Sequence, residues 1–202
     1  MSNLKALDDK INLTEKRVLV RVDLNVPIND GKVSDNSKIK KITPLITNLI
    51  EKKAKIILIS HLGRPKGRFD KKLSLKPVAL TLQELMKTKI EFFEKSYGPE
   101  VIEKSKKIKP GEILLLENIR FNKEEELNAE SFSKELSKIG DIYINEAFAC
   151  SHRAHASVCE ITNHIDSFAG KMLIEEVNLI KTLTSNPRKP VTCIIGGSKI
   201  SS

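Results

Sequence analysis

Near-continuous apolar runs separated by helix-like stretches are the feature that most constrains the fold of this chain. Five such runs, each rich in Ile, Leu and Val, occupy residues 17–26, 54–62, 111–121, 140–148 and 190–197. Strands that are apolar on both faces are typical of a parallel sheet covered by helices on both sides. A shorter run at 90–93 is a weaker strand candidate. We therefore expect the five runs to form buried strands of one parallel sheet.

Amphipathic segments lie between these runs. They span residues 35–53, 74–88, 128–140 and 169–185. In the first of them, apolar side chains recur at a spacing of three to four, at Ile39, Ile42, Leu45, Ile46, Leu49 and Ile50. Ser74 is expected to cap the second segment, and Gly140 is expected to end the third. Strand and helix alternate, so the sequence predicts an α/β architecture, a parallel sheet flanked by helices with right-handed crossovers.

The chain is basic, with 35 Lys and Arg residues against 26 Asp and Glu residues and a net charge of +9. Such an excess invites a nucleic-acid interpretation. Many lysines, however, lie beside glutamates, as in "NKEEELNAE", which is the mixture of a solvated helix face, and aromatic residues make up only 4%. They do not interleave with basic residues as a surface for stacking bases requires. We therefore favour a small anionic ligand and keep nucleic-acid binding as an alternative.

Membrane insertion and secretion are not expected. No apolar run approaches the roughly 18 residues that a membrane helix needs. The first residues lack the apolar stretch and small-residue site of a signal peptide. The three cysteines, Cys150, Cys159 and Cys193, form no CxxC pair, and an odd count argues against a disulfide framework. The sequence therefore predicts a protein of the reducing cytoplasm.

Polar and cationic side chains follow four of the expected strands. In chain order they are Asp23, Asn25, His61, Arg64, Arg120 and Arg153. In parallel sheets of this kind, ligands bind outside the carboxyl ends of the strands. The guanidinium fork suits bidentate contact with phosphate or carboxylate, and nearby glycines such as Gly63 and Gly67 let backbone approach a ligand closely. The sequence therefore predicts an anion site at this edge.

Each of these residues also has a plainer interpretation. A single arginine after a strand is usually a surface salt bridge, and Asp23 could merely brace a neighbouring arginine. His152 and His155 form an HxxH pair, but without a third ligand the pair is weak evidence for metal, and one of the two is expected to orient a loop. No metal ligand is predicted. The shared position of the cations at one sheet edge is what favours the anion site.

Five longer motifs carry a resemblance to a known family. They are "RVDLNVPINDGKV", "SHLGRPKG", "LLLENIRF", "NEAFACSHRAHAS" and "IIGGSKIS". In this order, and from about residue 17 to the end, they resemble phosphoglycerate kinase. The resemblance implies a Rossmann-like domain that is the first of two similar domains, with residues 1–189 binding 3-phosphoglycerate and residues 190–202 opening a nucleotide-binding region.

The resemblance also implies roles for individual residues. The implied substrate-binding residues are Asp23, Leu24, Asn25, Lys38, His61, Leu62, Gly63, Arg64, Arg120 and Arg153. The implied catalytic residues are Lys38 and Lys199, and the implied nucleotide-binding residues are Gly196, Gly197 and Lys199. The implied partners are 3-phosphoglycerate or 1,3-bisphosphoglycerate and, in the full-length enzyme, ADP or ATP with Mg²⁺ held by the second half. The family expectation is a cytoplasmic monomer that binds neither nucleic acid nor membrane.

The sequence departs from the family pattern at three places. Lys38 stands where the family mostly has arginine, which keeps the charge but not the bidentate fork. The usual Asp-Ala-Phe-Gly is Glu-Ala-Phe-Ala at 146–149. The sequence stops at "GGSKISS", which contains no GxxxxGK[ST] P-loop. We therefore expect a substrate-binding fragment without turnover, and keep a non-catalytic module that binds phosphorylated sugar acids as the alternative.

Overall fold

A computed structural model of the chain describes residues 4–8, 10–185, 187–192 and 194. Its strands are β1 (Arg17–Arg21), β2 (Ile28–Asn29), β3 (Lys32–Val33), β4 (Lys55–Ile59), β5 (Ile90–Phe93), β6 (Ile113–Leu116), β7 (Ile142–Asn145) and β8 (Ser167–Ala169). Its helices are α1 (Ser37–Glu51), α2 (Lys76–Met86), α3 (Pro99–Lys106), α4 (Lys123–Glu126), α5 (Glu130–Ser137) and α6 (Lys171–Ser185). None of the described helices combines the length and apolarity needed to span a bilayer.

Six strands form one sheet in the order β5-β6-β4-β1-β7-β8, and every pairing in it is parallel. From β1 the chain passes to β4 and then to β5 at the edge of the sheet, returns to β6 between them, and then crosses to the opposite side of β1 at β7. The strand order therefore reverses beside β1. In open α/β sheets, the crevice at such a reversal is where ligands bind. The fold confirms the predicted α/β architecture with a parallel sheet flanked by helices.

The core lies on both faces of the sheet, which explains why the strands are apolar almost throughout. Along β1, Val18 and Val20 pack in a cluster with α1 residues such as Ile39 and Ile46, whereas Leu19 belongs to the opposite cluster with Phe132 of α5. Successive side chains of a strand point to opposite faces. Burying both faces removes both sets from water and stabilises the sheet by about 25 cal/mol per Å² of apolar area.

Four of the five predicted strands are confirmed as β1, β4, β6 and β7, and the weaker candidate at 90–93 is confirmed as β5. Half of the fifth run, 190–197, lies outside the described residues, and its described positions 190–192 and 194 form no strand. The sequence did not predict the two-residue strands β2 and β3, the edge strand β8, or helices α3 and α4. The three strands and α4 have two to four residues each, so they lack a run long enough to show a period.

The N-cap position predicted for the second helix was wrong by one residue. Helix α2 begins at Lys76 with Leu75 at its N-cap. The hydroxyl of Ser74 donates a hydrogen bond to Glu117 Oε2 at 2.6 Å, and the other oxygen of that carboxylate accepts the Leu75 N–H at 2.8 Å. Ser74 still contributes to the start of the helix, because its Oγ accepts the Lys76 N–H at 3.2 Å. The carboxylate of Glu117, which lies 42 residues beyond Leu75 in the chain, caps the Leu75 N–H.

The expected end of the third segment was also wrong. Helix α5 ends at Ser137 with Lys138 at its C-cap, before Gly140 is reached. Gly140 instead lies against β1, where an added Cβ would be 2.8 Å from the Cβ of Leu19. Glycine is present at this position because the chain passes close to the strand.

Candidate functional site

A cavity of about 200 Å³ opens at the carboxyl end of the sheet. It is lined by Asp23, Asn25, Lys38, His61, Gly63, Arg64, Arg120, Ala149, Cys150, His152 and Arg153. These residues come from the loops after β1, β4, β6 and β7 and from the first turn of α1. The structure therefore brings together the polar and cationic residues that the sequence placed at this edge. Their role as ligand contacts stays a prediction.

Some of the residues implied by resemblance are not brought to the cavity. The side chains of Leu24 and Leu62 are buried, at 0% and 4% exposure, and neither lines the cavity. The backbone N–H of Leu24 donates to Ser60 Oγ at 2.9 Å, so this residue fixes the start of the loop after β1. Gly196, Gly197 and Lys199 lie outside the described residues.

The two polar residues after β1 hold neighbouring loops together. Asp23 Oδ2 accepts a hydrogen bond from Lys38 Nζ at 2.8 Å, and its Oδ1 accepts the Asn25 N–H at 3.0 Å. Asn25 Oδ1 accepts the Gly63 N–H at 2.9 Å. The plainer interpretation of Asp23 as a brace is therefore met in part, with Lys38 as the cation. The ion pair also holds the ammonium group beside the cavity.

Arg120 is a buried cation with few hydrogen-bond partners. It is 3% exposed, its Nη1 donates to the Gly63 carbonyl at 3.0 Å, and its Nε has no hydrogen-bond partner. The closest carboxylate oxygen, on Glu126, is 3.6 Å from Nε. Burial and then the charge of Arg21 lower the pKa of Arg120. A desolvated guanidinium with spare donors favours the arrival of an anion.

Arg64 and Arg153 supply two further cations at the mouth of the cavity. Arg64 is exposed and Arg153 is half-buried. Neither makes an ion pair with a carboxylate among the described residues. Their charges are therefore not neutralised by the protein. Together with Lys38 and Arg120 they give the cavity a strong preference for negatively charged ligands.

Sequence reasoning missed Arg21, the last residue of β1. Its side chain is fully buried, and it donates to Ser157 Oγ at 3.0 Å, to the Val22 carbonyl at 2.6 Å and to His61 Nδ1 at 3.0 Å. The signal was present in the sequence, because an arginine stands inside the apolar run "RVLVRVDLNV". A cation in a buried strand needs hydrogen-bond partners. Two of those of Arg21, His61 and Ser157, lie 40 and 136 residues away in the sequence.

His61 lies between the buried Arg21 and the cavity. Burial, followed by the charges of Arg21 and Arg120, lowers the pKa of His61 to about 2. For a base, a lowered pKa means that the charged form is disfavoured. The imidazole is therefore neutral at physiological pH.

The HxxH pair does not form a metal site. His152 lines the cavity, whereas His155 is buried with its Nδ1 3.9 Å from Glu125 Oε1. Over the described part of the chain, there is no group of three or more His, Cys, Asp or Glu side chains placed to hold a metal ion.

Gly67 fixes the loop that carries Gly63 and Arg64. It has φ +70°, and an added Cβ would lie 2.6 Å from the Cβ of Lys123 and 2.9 Å from its backbone Cα. Because one clashing atom is backbone, the loop or α4 has to move. We expect Gly67→Ala to cost about 1–3 kcal/mol of unfolding free energy for this overpacking, in addition to about 1–2 kcal/mol for the left-handed backbone.

The matched control for Gly67→Ala is Gly31→Ala. Gly31 has nearly the same backbone angle, φ +74°, but nothing lies within 4 Å of an added Cβ. Urea denaturation followed by circular dichroism measures both variants. Equal losses of stability would show that backbone strain alone matters and that the contact with Lys123 does not fix the loop.

The family model for phosphoglycerate kinase matches residues 8–202. The phosphoglycerate kinase of Leptospira biflexa is 50% identical over 191 residues, which are 95% of this chain and 48% of that protein. That of Orientia tsutsugamushi (strain Ikeda) is 47% identical and covers 100% of this chain and 49% of that protein. The chain spans about half the length of these curated relatives.

Solved structures agree with the sequence comparison. Phosphoglycerate kinase from Coxiella burnetii superposes with a TM-score of 0.83 at 36% identity, over 93% of this chain and 47% of that one. The enzyme from Pyrococcus horikoshii OT3 superposes with a TM-score of 0.80 at 32% identity, over 89% of this chain and 46% of that one. With the sheet, the cation-lined cavity and a family match over almost its whole length, this chain belongs to the phosphoglycerate kinase family.

Proposed function

We propose that these 202 residues are the substrate-binding half of a phosphoglycerate kinase, which transfers a phosphoryl group between 1,3-bisphosphoglycerate and ADP. The observation that carries the proposal is the convergence of Lys38, Arg64, Arg120 and Arg153 on one cavity of about 200 Å³. That volume suits a small anion, so a compact phosphorylated sugar acid accounts for the cations better than a nucleic acid does. Membership of the family disfavours the alternative of a non-catalytic anion-binding module.

Each part of the cavity has a role in this proposal. Arg64, Arg120 and Arg153 bind the phosphate that is not transferred, with His61 as a neutral donor beside them. Asp23 and Asn25 contact the glycerate end, and Lys38 lies near the group in transfer. Phosphoryl transfer asks for little covalent chemistry from the protein, because positioning and charge stabilisation lower most of the barrier. The cavity supplies both for one of the two substrates.

The nucleotide is proposed to bind elsewhere. The cavity of about 200 Å³ is assigned to the phosphorylated sugar acid, so binding ADP or ATP with Mg²⁺ is a separate role. We assign that role to the portion that corresponds to the other half of the relatives, with Gly196, Gly197 and Lys199 at its start. The boundary near residue 189, a monomeric state and a cytoplasmic location belong to the same proposal.

Replacing any one of the three arginines that line the cavity is expected to weaken binding of 3-phosphoglycerate. A charge-assisted hydrogen bond contributes about 1.5–3 kcal/mol, so Arg64→Ala, Arg120→Ala or Arg153→Ala should each raise the Kd about tenfold or more. Isothermal titration calorimetry on the 202-residue chain measures this. Arg68→Ala is the matched control, because Arg68 is exposed on the same loop as Arg64 but does not line the cavity. Unchanged affinity for 3-phosphoglycerate in all three of these arginine variants would contradict the proposed site.

A further inference from the structure

Arg21 does not reach the cavity, yet it contacts a residue that does. Its guanidinium Nη2 lies 3.0 Å from His61 Nδ1. A guanidinium can only donate hydrogen bonds, so Nδ1 must present its lone pair. In a neutral imidazole the remaining proton is then on Nε2. His61 lines the cavity. Among the described residues Nε2 has no hydrogen-bond partner, and it does not belong to the buried side-chain atoms that lack one.

The guanidinium of Arg21 has no freedom to turn away from His61. Its Nε donates to Ser157 Oγ and its Nη1 donates to the Val22 carbonyl, with 0% of the residue exposed. Ser157 is itself fixed, because its Oγ donates to Glu125 Oε1 at 2.6 Å and its N–H donates to Oε2 at 2.8 Å. The buried carboxylate, the serine and the arginine thus form one chain of hydrogen bonds that ends at the imidazole.

From these contacts we infer that Arg21 is a positioning residue, which holds His61 as the Nε2–H tautomer so that the ring donates a hydrogen bond into the anion cavity. Only the identity of the anion rests on the proposed function. The opposite tautomer would turn the lone pair of Nε2 toward the ligand. An ionised phosphate oxygen is a pure acceptor, so that arrangement would repel it.

The surroundings of His61 leave the neutral Nε2–H form as the favoured state. The charged or titratable groups that face the ring are Arg21 of β1, Lys38 of α1, Arg120 after β6, and His155 and Cys150 after β7. The cations among them disfavour an imidazolium. The Cys150 Sγ lies 3.7 Å from Nδ1, and a thiol that donates there would also leave the proton on Nε2.

This arrangement gives the cavity a chemical preference. The arginine forks, the ammonium of Lys38 and the Nε2–H of His61 all donate. A phosphate oxygen that carries a proton would place a donor against a donor. These donors therefore favour an ionised phosphate oxygen over a protonated one, and Arg21 contributes to that preference without contacting the ligand.

Nitrogen NMR on the wild-type chain tests the tautomer directly. The chain has 4 histidines, so ¹⁵N-histidine labelling gives a spectrum that can be assigned, with His61→Gln identifying the His61 signals. Long-range ¹H–¹⁵N correlation separates protonated from unprotonated ring nitrogens. We expect Nε2 of His61 to be protonated and Nδ1 to be unprotonated at pH 7. A proton on Nδ1, alone or together with Nε2, would overturn the inference whether or not 3-phosphoglycerate binds.

A pair of amide substitutions tests the consequence for binding. Glutamine at position 61 extends its amide to about where Nε2 lies, whereas asparagine reaches only to Nδ1. We expect His61→Gln to bind 3-phosphoglycerate about fivefold or more tightly than His61→Asn, the worth of one hydrogen bond. Calorimetry with 3-phosphoglycerate and with inorganic phosphate measures both. Equal affinities would overturn the inference, while a wild-type chain that binds phosphate but not 3-phosphoglycerate would count against the proposed function alone.

Discussion

We expect the 202-residue chain to bind 3-phosphoglycerate but to form ATP from 1,3-bisphosphoglycerate and ADP at least ~10⁵-fold more slowly than a complete family member. The cavity is proposed to hold one reactant, and the nucleotide is proposed to bind the portion that corresponds to the other half of the relatives. Fixing both reactants in line is worth ~7–11 kcal/mol of the barrier. Losing the smaller of these values corresponds to about five orders of magnitude in rate. A coupled assay of ATP formation, with binding measured in parallel, checks both statements.

The control for this assay is the full-length phosphoglycerate kinase of Leptospira biflexa, which shares 50% identity with this chain over 191 residues. It should turn over under conditions in which the 202 residues do not. Binding without turnover agrees with the two-substrate proposal. Turnover by these residues at a rate near that of the full-length relative would contradict it.

The second large effect is expected on folding. Replacing the buried Arg21 with methionine removes the cation that faces the buried carboxylate of Glu125 through Ser157. Arg21 and Glu125 are joined through Ser157 rather than by a direct ion pair, and removing the partner of a buried charge costs up to about 3–5 kcal/mol. We expect Arg21→Met to lower the unfolding free energy by up to this amount in urea denaturation. The double variant Arg21→Met/Glu125→Gln should recover part of the loss, because it also removes the orphaned charge.

The loss in Arg21→Met should depend on pH in a defined direction. Burial raises the pKa of Glu125, and the charge of Arg21 acts against that rise. A carboxyl whose folded pKa is raised keeps its full stability below the unfolded pKa and loses it as pH rises toward the folded pKa. Without Arg21 the pKa rises further. The deficit of the variant should therefore be smallest near about pH 4, where an unfolded glutamate protonates, and should grow toward neutral pH.

Two outcomes would contradict this account of Arg21. A deficit that stays constant between acidic and neutral pH would show that lost packing, rather than the charge of Glu125, sets the cost. Equal stability of the single and double variants would lead to the same conclusion. Either result would leave the hydrogen bond from Arg21 to His61 as a separate question.

The sequence by itself determined the layers of this protein and the edge at which the candidate site lies. Runs such as 54–62 are apolar on both faces, and only a covered parallel sheet buries both. In parallel strands the carboxyl ends share one edge, so residues that follow different strands, such as Asn25, His61 and Arg120, had to lie near one another. Period and strand direction are local properties, and a single sequence displays them.

The tertiary structure decided which polar groups support that edge. Ser157 is 136 residues from Arg21 and 32 residues from Glu125, and no local pattern links positions so far apart. The same reason explains why Glu117 rather than Ser74 caps the Leu75 N–H. Buried polar groups must find partners wherever packing places them. The identity of those partners is therefore a property of the folded chain, whereas the need for them was already visible in an arginine inside an apolar strand.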